Sequence, residues 1–140
     1  MAGVAGYLVD KSALARLKHP DVADVLLRLV KAGRMATTGI VSLEMLYSAR
    51  NLADRDRIRA GLTAHEWLPT DDRDFNRALE VQRQLTAVGK HRAVPLPDLL
   101  IAAIAERHQV TVLHYDTDFD LIATITGQPT QWVVPRGSVA

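Results

Sequence analysis

The stretch Asp98–Leu113, DLLIAAIAERHQVTVL, contains the two patterns that decide the fold. Its first part, to about Arg107, follows Pro97 and is apolar on nearly every side, which is typical of a buried helix. Its last part, Val110–Leu113, is rich in β-branched residues and predicts a strand. A buried helix followed at once by a strand is typical of a parallel sheet with helices on both faces.

The same alternation extends along the rest of the chain. Further strands are predicted at Tyr7–Val9, Arg34–Thr38 and Trp132–Val134, and further helices at Asp21–Lys31, after Gly39, at 52–65 and at Asp116–Gly127. Thr70 is predicted to cap one more helix, with an inner stripe formed by Phe75, Ala78, Leu79, Gln82 and Leu85. We therefore predict an α/β fold, a three-layer α/β/α sandwich with a mainly parallel sheet of four or five strands, formed as one domain over residues 1–140.

The composition excludes several classes of protein. The chain has no cysteine, which excludes disulfide scaffolds and cysteine-ligated metal sites. Its 17 basic and 16 acidic residues give a net charge of +1, so that bulk charge indicates no nucleic-acid or membrane partner. The longest apolar run, Leu99–Ala105, is far shorter than the ~20 residues of a membrane span. We expect a soluble, cytoplasmic domain without a signal peptide.

Four acidic side chains lie where predicted strands end or buried helices begin. Asp10 and Asp116 follow strands, and the carboxyl ends of parallel strands are where open α/β sheets bind ligands. Asp98 begins the buried helix and Glu44 lies inside a helix after a strand, so that both can point to the same edge. Clustered carboxylates raise one another's pKa unless a cation neutralises them, and they suit Mg²⁺ or Mn²⁺. The pattern predicts a metal-dependent phosphodiesterase.

Each of these acids also has a purely structural interpretation. Asp10 and Asp116 can be helix caps, Asp98 can be a first-turn helix acid, and Glu44 can lie on an exposed helix face. A different class, the receiver-type signalling domain, needs an acidic pair after its first strand and a lysine after a late strand. Asp10 has no acidic neighbour and no lysine follows position 90, which argues against that class.

Four segments in order, Tyr7–Leu14, Val41–Leu46, Pro97–Ala105 and Val112–Phe119, resemble the PIN-domain family and more narrowly its VapC-type ribonuclease toxins. The resemblance implies a metal-dependent endoribonuclease in which Mg²⁺ or Mn²⁺ is held by the matching acids, which are Asp10, Glu44, Asp98 and Asp116. It also implies a homodimer and a small VapB-like antitoxin that blocks the acidic pocket. An apolar patch involving Leu46, Tyr47 and Leu52 would be the footprint of such a partner.

The chain departs from the family pattern at two positions. Lys11 stands where the family usually has Thr or Ser, although Ser12 is present next to it and can orient the first acid. His114 stands where the last motif commonly has Thr, and a neutral imidazole can still donate one hydrogen bond. Asp118 is an alternative to Asp116 as a metal ligand. A catalytically inactive PIN-like module that binds RNA or protein stays open as the alternative function.

Arginine provides most of the positive charge, thirteen of the seventeen basic residues. Its guanidinium binds phosphate through two parallel hydrogen bonds, so that Arg73, Arg77 and Arg92 are candidate RNA contacts. The alternative is a solvated helix face on which neighbouring acids balance these charges.

Overall fold

A computed structural model describes residues 6–140 and contains one parallel sheet. Its strands are β1 (Tyr7–Val9), β2 (Met35–Thr37), β3 (Glu66–Trp67), β4 (Thr111–His114) and β5 (Thr130–Trp132). They lie in the order β3–β2–β1–β4–β5, and each adjacent pair is parallel. The predicted α/β fold with a parallel sheet of four or five strands is confirmed.

The helices connect and cover these strands. They are α1 (Lys11–Leu14), α2 (Pro20–Lys31), α3 (Gly39–Tyr47), α4 (Leu52–Leu62), α5 (Asp72–Ala87), α6 (Leu96–His108) and α7 (Thr117–Thr126). A short 3₁₀ turn at His91–Ala93 precedes α6. In the part of the chain that the structure describes, no helix is both long and apolar enough to cross a membrane.

The two faces of the sheet bury separate cores, because successive side chains of a strand point to opposite faces. On one face Leu8 packs in a cluster with Val81 of α5 and Ile101 of α6. On the other face Val9 packs with residues of α2 such as Val22. This arrangement confirms the three-layer sandwich.

Two strands differ from the prediction. β3 was not predicted, because it has only two residues, both exposed, and pairs with β2 alone at the edge of the sheet. The last strand was predicted at Trp132–Val134 but lies two residues earlier. Val133 and Val134 follow the strand but are buried in the core on the α2 face. Because buried residues after a strand are as apolar as those within it, the sequence pattern placed the strand too late.

The start and the inner face of α5 also differ from the prediction. The helix is capped by Asp71 and not by Thr70, since Asp71 and Asp74 form a reciprocal capping box. Phe75 and Leu79, predicted to face the core, are 52% and 63% exposed. Their side chains line an open apolar groove beside α6, together with Ala78 and Gln82. Of the predicted stripe, Leu85 alone is fully buried.

Candidate metal centre

The candidate site lies at the carboxyl edge of the sheet, where β1 and β4 are neighbours. The chain continues from β1 to β2 and β3 on one side of this point, and from β4 to β5 on the other. Such a reversal of strand order leaves a crevice in which open α/β sheets bind ligands. Asp10 directly follows β1, and Asp116 lies two residues beyond β4. The topology therefore brings the two predicted acids to the same crevice.

Asp10 is buried and held by the residue predicted to orient it. Its Oδ2 accepts hydrogen bonds from the backbone N–H of Ser12 at 2.9 Å and from the Ser12 hydroxyl at 2.6 Å. The same hydroxyl oxygen accepts a hydrogen bond from the backbone N–H of Tyr115 at 2.8 Å. Ser12 thus joins the loop after β1 to the loop after β4 and holds the Asp10 carboxylate in one orientation.

Three carboxylates approach one another closely in this crevice. Asp98, Asp116 and Asp118 each offer one oxygen, and these oxygens lie within 4.8 Å of one another. Asp116 is also the N-cap of α7, where its Oδ1 accepts a hydrogen bond from the backbone N–H of Asp118 at 2.9 Å. Asp116 is therefore both a helix cap and a member of the acidic cluster. Asp116 and Asp118 both approach Asp98, so that both are candidate metal ligands beside it.

The burial and electrostatics of Asp98 fit a cluster that binds a cation. The carboxyl is buried, and its Oδ2 has no hydrogen-bond partner among residues 6–140. Burial, followed by repulsion from Asp10, Asp116 and Asp118, raises its pKa to about 8. A buried oxygen without a partner costs free energy that a bound cation would recover. A donor set made only of carboxylate oxygens fits a hard divalent cation.

Glu44 faces the same crevice from α3. Its Oε1 is buried and has no hydrogen-bond partner in the described part of the chain. Burial raises the pKa of Glu44, repulsion from Asp10 raises it further, and Lys11 opposes the shift. A cleft of about 260 Å³ is lined by Asp10, Glu44, Asp98 and Asp116, and is called the acidic cleft below. All four acids carried over from the resemblance therefore line one cleft.

His114 lies below the cleft and not in it. The side chain is fully buried, and its ring packs against Phe119 and Trp132 with centroid separations of 5.1 Å. Its Nδ1 accepts a hydrogen bond from the backbone N–H of Asp116 at 3.1 Å, so that the proton of the neutral ring is on Nε2. The neutral ring thus keeps one N–H, and this buried Nε2 has no hydrogen-bond partner among residues 6–140. Burial lowers its pKa, which keeps the ring neutral.

Two of the three arginines predicted to contact RNA lie away from the acidic cleft. Arg73 pairs with an aspartate two residues before it, and Arg77 donates to Glu106 at 2.7 Å. Glu106 lies eight residues beyond Asp98 on α6, about 12 Å along the helix axis. Arg92 is exposed in the 3₁₀ turn before α6. The structure does not bring Arg73 and Arg77 together with the acids.

Arg16 lines the cleft as well, and the sequence pattern did not predict this cation. Its Nη1 donates to the carbonyl oxygen of Ser12 at 2.7 Å, and its guanidinium lies 4.5 Å from the centre of the Tyr115 ring. The sequence offered one signal for Arg16, its spacing of four residues from Ser12. This spacing would place the Arg16 and Ser12 side chains on the same face of the helix if the short α1 continued.

Comparison with known proteins identifies the family of the chain. The sequence model of the PIN domain matches residues 7–125. Ribonuclease VapC51 of Mycobacterium tuberculosis is 46% identical over 133 residues, which cover 95% of this chain and 96% of the relative. Ribonuclease VapC21 of the same species is 45% identical over 133 residues, with 94% and 96% covered.

Solved structures show the same fold at lower identity. The chain superposes on a chain of the DNA-bound VapBC crystal structure from Salmonella typhimurium with a TM-score of 0.75 and 17% identity, covering 93% of this chain and 99% of that one. It superposes on a chain of the crystal structure of VapBC2 from Rickettsia felis, bound to a promoter DNA fragment, with a TM-score of 0.74 and 21% identity. This match covers 90% of this chain and 98% of that one. The chain therefore belongs to the PIN domain family, and its relatives at 45–46% identity are VapC ribonucleases.

Proposed function

We propose that this chain is a VapC-like, metal-dependent endoribonuclease that hydrolyses RNA phosphodiester bonds, with residues 1–140 acting as one domain. The observation that carries the proposal is the approach of three carboxylates to within 4.8 Å beside a buried Asp98 oxygen without a partner. The relatives that match almost the whole chain are named ribonucleases. An RNA substrate and a chain without cysteine fit a cytoplasmic location.

We assign a divalent cation, Mg²⁺ or Mn²⁺, to Asp98, Asp116 and Asp118, with Asp10 as the fourth carboxylate of the same cleft. When bound, such a cation would offset part of the negative charge of the cluster and would stabilise the negative charge that develops on the phosphate. Ser12 keeps the Asp10 carboxylate in place through two hydrogen bonds. Holding the charged groups in advance avoids the cost of reorganising them during the reaction.

Glu44 has a separate role in this proposal, that of the general base. Its raised pKa makes it a better proton acceptor than an ordinary carboxylate, and its buried Oε1 has no partner in residues 6–140. Glu44 is thus placed to accept the proton of the water that attacks the phosphate. His114 supports the loop after β4, because its Nδ1 accepts a hydrogen bond from the backbone N–H of Asp116.

Cleavage of RNA tests the proposal directly. Purified chain, freed of any bound partner, is incubated with total bacterial RNA and Mg²⁺ or Mn²⁺, in parallel with EDTA. We expect discrete fragments that disappear with EDTA and decrease at least about 100-fold with Asp98→Ala. Asp56→Ala, which removes an exposed aspartate of α4, is the matched control and should cleave normally.

Two outcomes would contradict the proposal in different ways. Cleavage that persists in EDTA and in Asp98→Ala would exclude the assigned metal centre. Absence of cleavage by a chain that binds Mn²⁺ in calorimetry would favour the inactive PIN-like module that binds RNA or protein.

We also propose a small VapB-like antitoxin that covers the acidic cleft. Two structural neighbours are VapBC assemblies. Near the cleft, α3 carries Glu44 and, one turn later, Tyr47, which is 90% exposed, while Leu52 at the start of α4 is 71% exposed. Exposed apolar side chains of this kind mark binding surfaces. Tyr47→Lys should weaken inhibition of RNA cleavage by the antitoxin at least about tenfold. The control Leu27→Lys, on α2, should leave inhibition unchanged. Equal inhibition of the two variants would contradict this placement of the antitoxin.

We propose that a second copy of the chain covers the apolar groove between α5 and α6. The groove has a volume of about 300 Å³ and is lined by Phe75, Leu79, Leu96 and Leu100. Three of these side chains are more than half exposed, which is costly for a lone chain in water. Sedimentation equilibrium should show a dimer that Leu79→Lys dissociates. A monomeric parent chain, or a variant that stays dimeric, would refute this interface.

A further inference from the structure

A second cleft adjoins the acidic cleft and is built by the C-terminal end of the chain. It has a volume of about 470 Å³ and is lined by Arg16, Tyr115, Asp116, Trp132 and Arg136, among others. Arg16 and Asp116 line both clefts, so that the two are continuous. We call it the C-terminal cleft. A ligand that reaches Asp116 in the acidic cleft can extend into this space.

Two arginines, Arg16 and Arg136, bring positive charge to the C-terminal cleft. In the part of the chain that the structure describes, Arg16 and Arg136 form no ion pair, whereas six other arginines do. The Nε of Arg16 is buried and has no hydrogen-bond partner among those residues. A buried N–H donor without an acceptor costs free energy, and an anionic oxygen would satisfy it.

Aromatic rings hold both guanidinium groups in place without neutralising them. Arg16 lies 4.5 Å from the centre of the Tyr115 ring, and Arg136 lies 5.9 Å from the centre of the Trp132 ring. The two rings contact each other edge to face at 5.2 Å. Stacking on a ring leaves the N–H edge of a guanidinium available to a phosphate.

The end of the chain is fixed as one wall of this cleft. The Tyr115 hydroxyl donates a hydrogen bond to the carbonyl oxygen of Val139 at 2.8 Å and accepts one from the Val139 backbone N–H at 3.2 Å. The same tyrosine therefore supports Arg16 and anchors the segment that carries Arg136. This coupling positions both cations relative to Asp116.

We propose that the C-terminal cleft binds the nucleotide next to the scissile phosphate of single-stranded RNA, with Arg16 and Arg136 as its phosphate ligands. The proposal rests on the proposed function, since it requires RNA at the acidic cleft. A polyanion is repelled by four carboxylates, and the chain's net charge of +1 offers no general attraction. Local cations with aromatic rings are the combination that proteins use to hold single strands.

Binding can be measured without cleavage in an Asp98→Asn background with Mg²⁺ present. The probe is a fluorescein-labelled, random-sequence single-stranded RNA of about 12 nucleotides, and fluorescence anisotropy is recorded over a range of salt concentrations. Each phosphate contact contributes about 0.7 to the slope of log K against log salt for single strands. Arg136→Gln should lower the slope by about 0.7 and weaken binding about tenfold. Arg16→Gln should act in the same direction.

A matched control separates this cleft from general charge effects. Arg83→Gln removes an exposed arginine of α5 that forms no ion pair within residues 6–140, and it should leave the slope unchanged. Equal slopes for the parent, Arg136→Gln and Arg16→Gln would overturn the proposal, and would be expected if the cleft instead receives an acidic protein partner. Absence of RNA binding by the Asp98→Asn chain would overturn it as well.

The cleavage assay distinguishes failure of this proposal from failure of the proposed function. If the parent chain cleaves RNA and the slopes are equal, the endoribonuclease stands and the C-terminal cleft is not its subsite. If the chain cleaves no RNA but Arg136→Gln lowers the slope, the cleft binds RNA and catalysis is absent.

Discussion

Replacing Asp98 with Asn should stabilise the cation-free chain, although it removes a proposed metal ligand. The carboxyl of Asp98 is buried beside three other aspartates, and its pKa is raised from an ordinary value of 3.8 to about 8. The folded chain therefore binds this proton more tightly than the unfolded chain. The contribution of Asp98 to the free energy of unfolding is complete below pH 4. This contribution is lost as the pH rises to about 8.

The size of the effect follows from the shift in pKa. One unit corresponds to ~1.36 kcal/mol, so that the full difference between about 8 and 3.8 sets an upper bound of about 6 kcal/mol above pH 8. Because Asp98 shares its repulsion with neighbouring carboxyls and water enters the open cleft, we expect about 1–3 kcal/mol. An amide of nearly the same shape keeps the packing and removes the charge.

Urea unfolding in EDTA at pH 4 and pH 8 measures this difference. The parent chain should lose about 1–3 kcal/mol more than Asp98→Asn between the two pH values, while the control Asp56→Asn should follow the parent. Adding Mn²⁺ at pH 8 should reverse the order, because the cation stabilises only the chain that binds it. Identical pH dependence of the parent and Asp98→Asn would refute the electrostatic reasoning.

Three further substitutions test other parts of the structure by urea unfolding. Ser12→Ala should lower the free energy of unfolding by about 1–2 kcal/mol and slow RNA cleavage, because Asp10 and the Tyr115 N–H each lose a hydrogen bond; an unchanged cleavage rate would exclude a positioning role. His114→Ala should cost about 2–4 kcal/mol, since it leaves a cavity between two aromatic rings, and a loss below 1 kcal/mol would contradict its tight packing. Gln109→Gly should add about 1 kcal/mol, because the φ of 58° after α6 favours glycine, and a loss of stability would show that the Gln side chain matters more than its backbone.

Local sequence was enough to predict most elements and the positions of the acids. Alternating or helical periodicity is a property of neighbouring residues, and it located β1, α2 and α6 to within a few residues. The acids were found because each follows a strand or lies near a helix start, and parallel strands direct their carboxyl ends to one edge. The prediction of a single domain over residues 1–140 stays a prediction.

Tertiary contacts decided what the sequence pattern left open. The exposure of Phe75 and Leu79 depends on how α5 sits against α6, and a helical stripe does not contain that information. Likewise, the pairing of the buried Asp74 with Arg107 joins residues 33 positions apart. Neither the exposure of these side chains nor this ion pair can be predicted from the residues of a single segment.

The sequence by itself therefore determined the α/β class and the four acids, because strand and helix periodicity and the residues at element ends are local properties. The tertiary structure alone decided which oxygens meet. Register pairing of Val9 with Leu113 brings the loops after β1 and β4 together, so that Ser12 reaches Tyr115. The same pairing makes Arg16 a neighbour of the acids, because the distance between residues a hundred positions apart is set by the sheet and not by the chain between them.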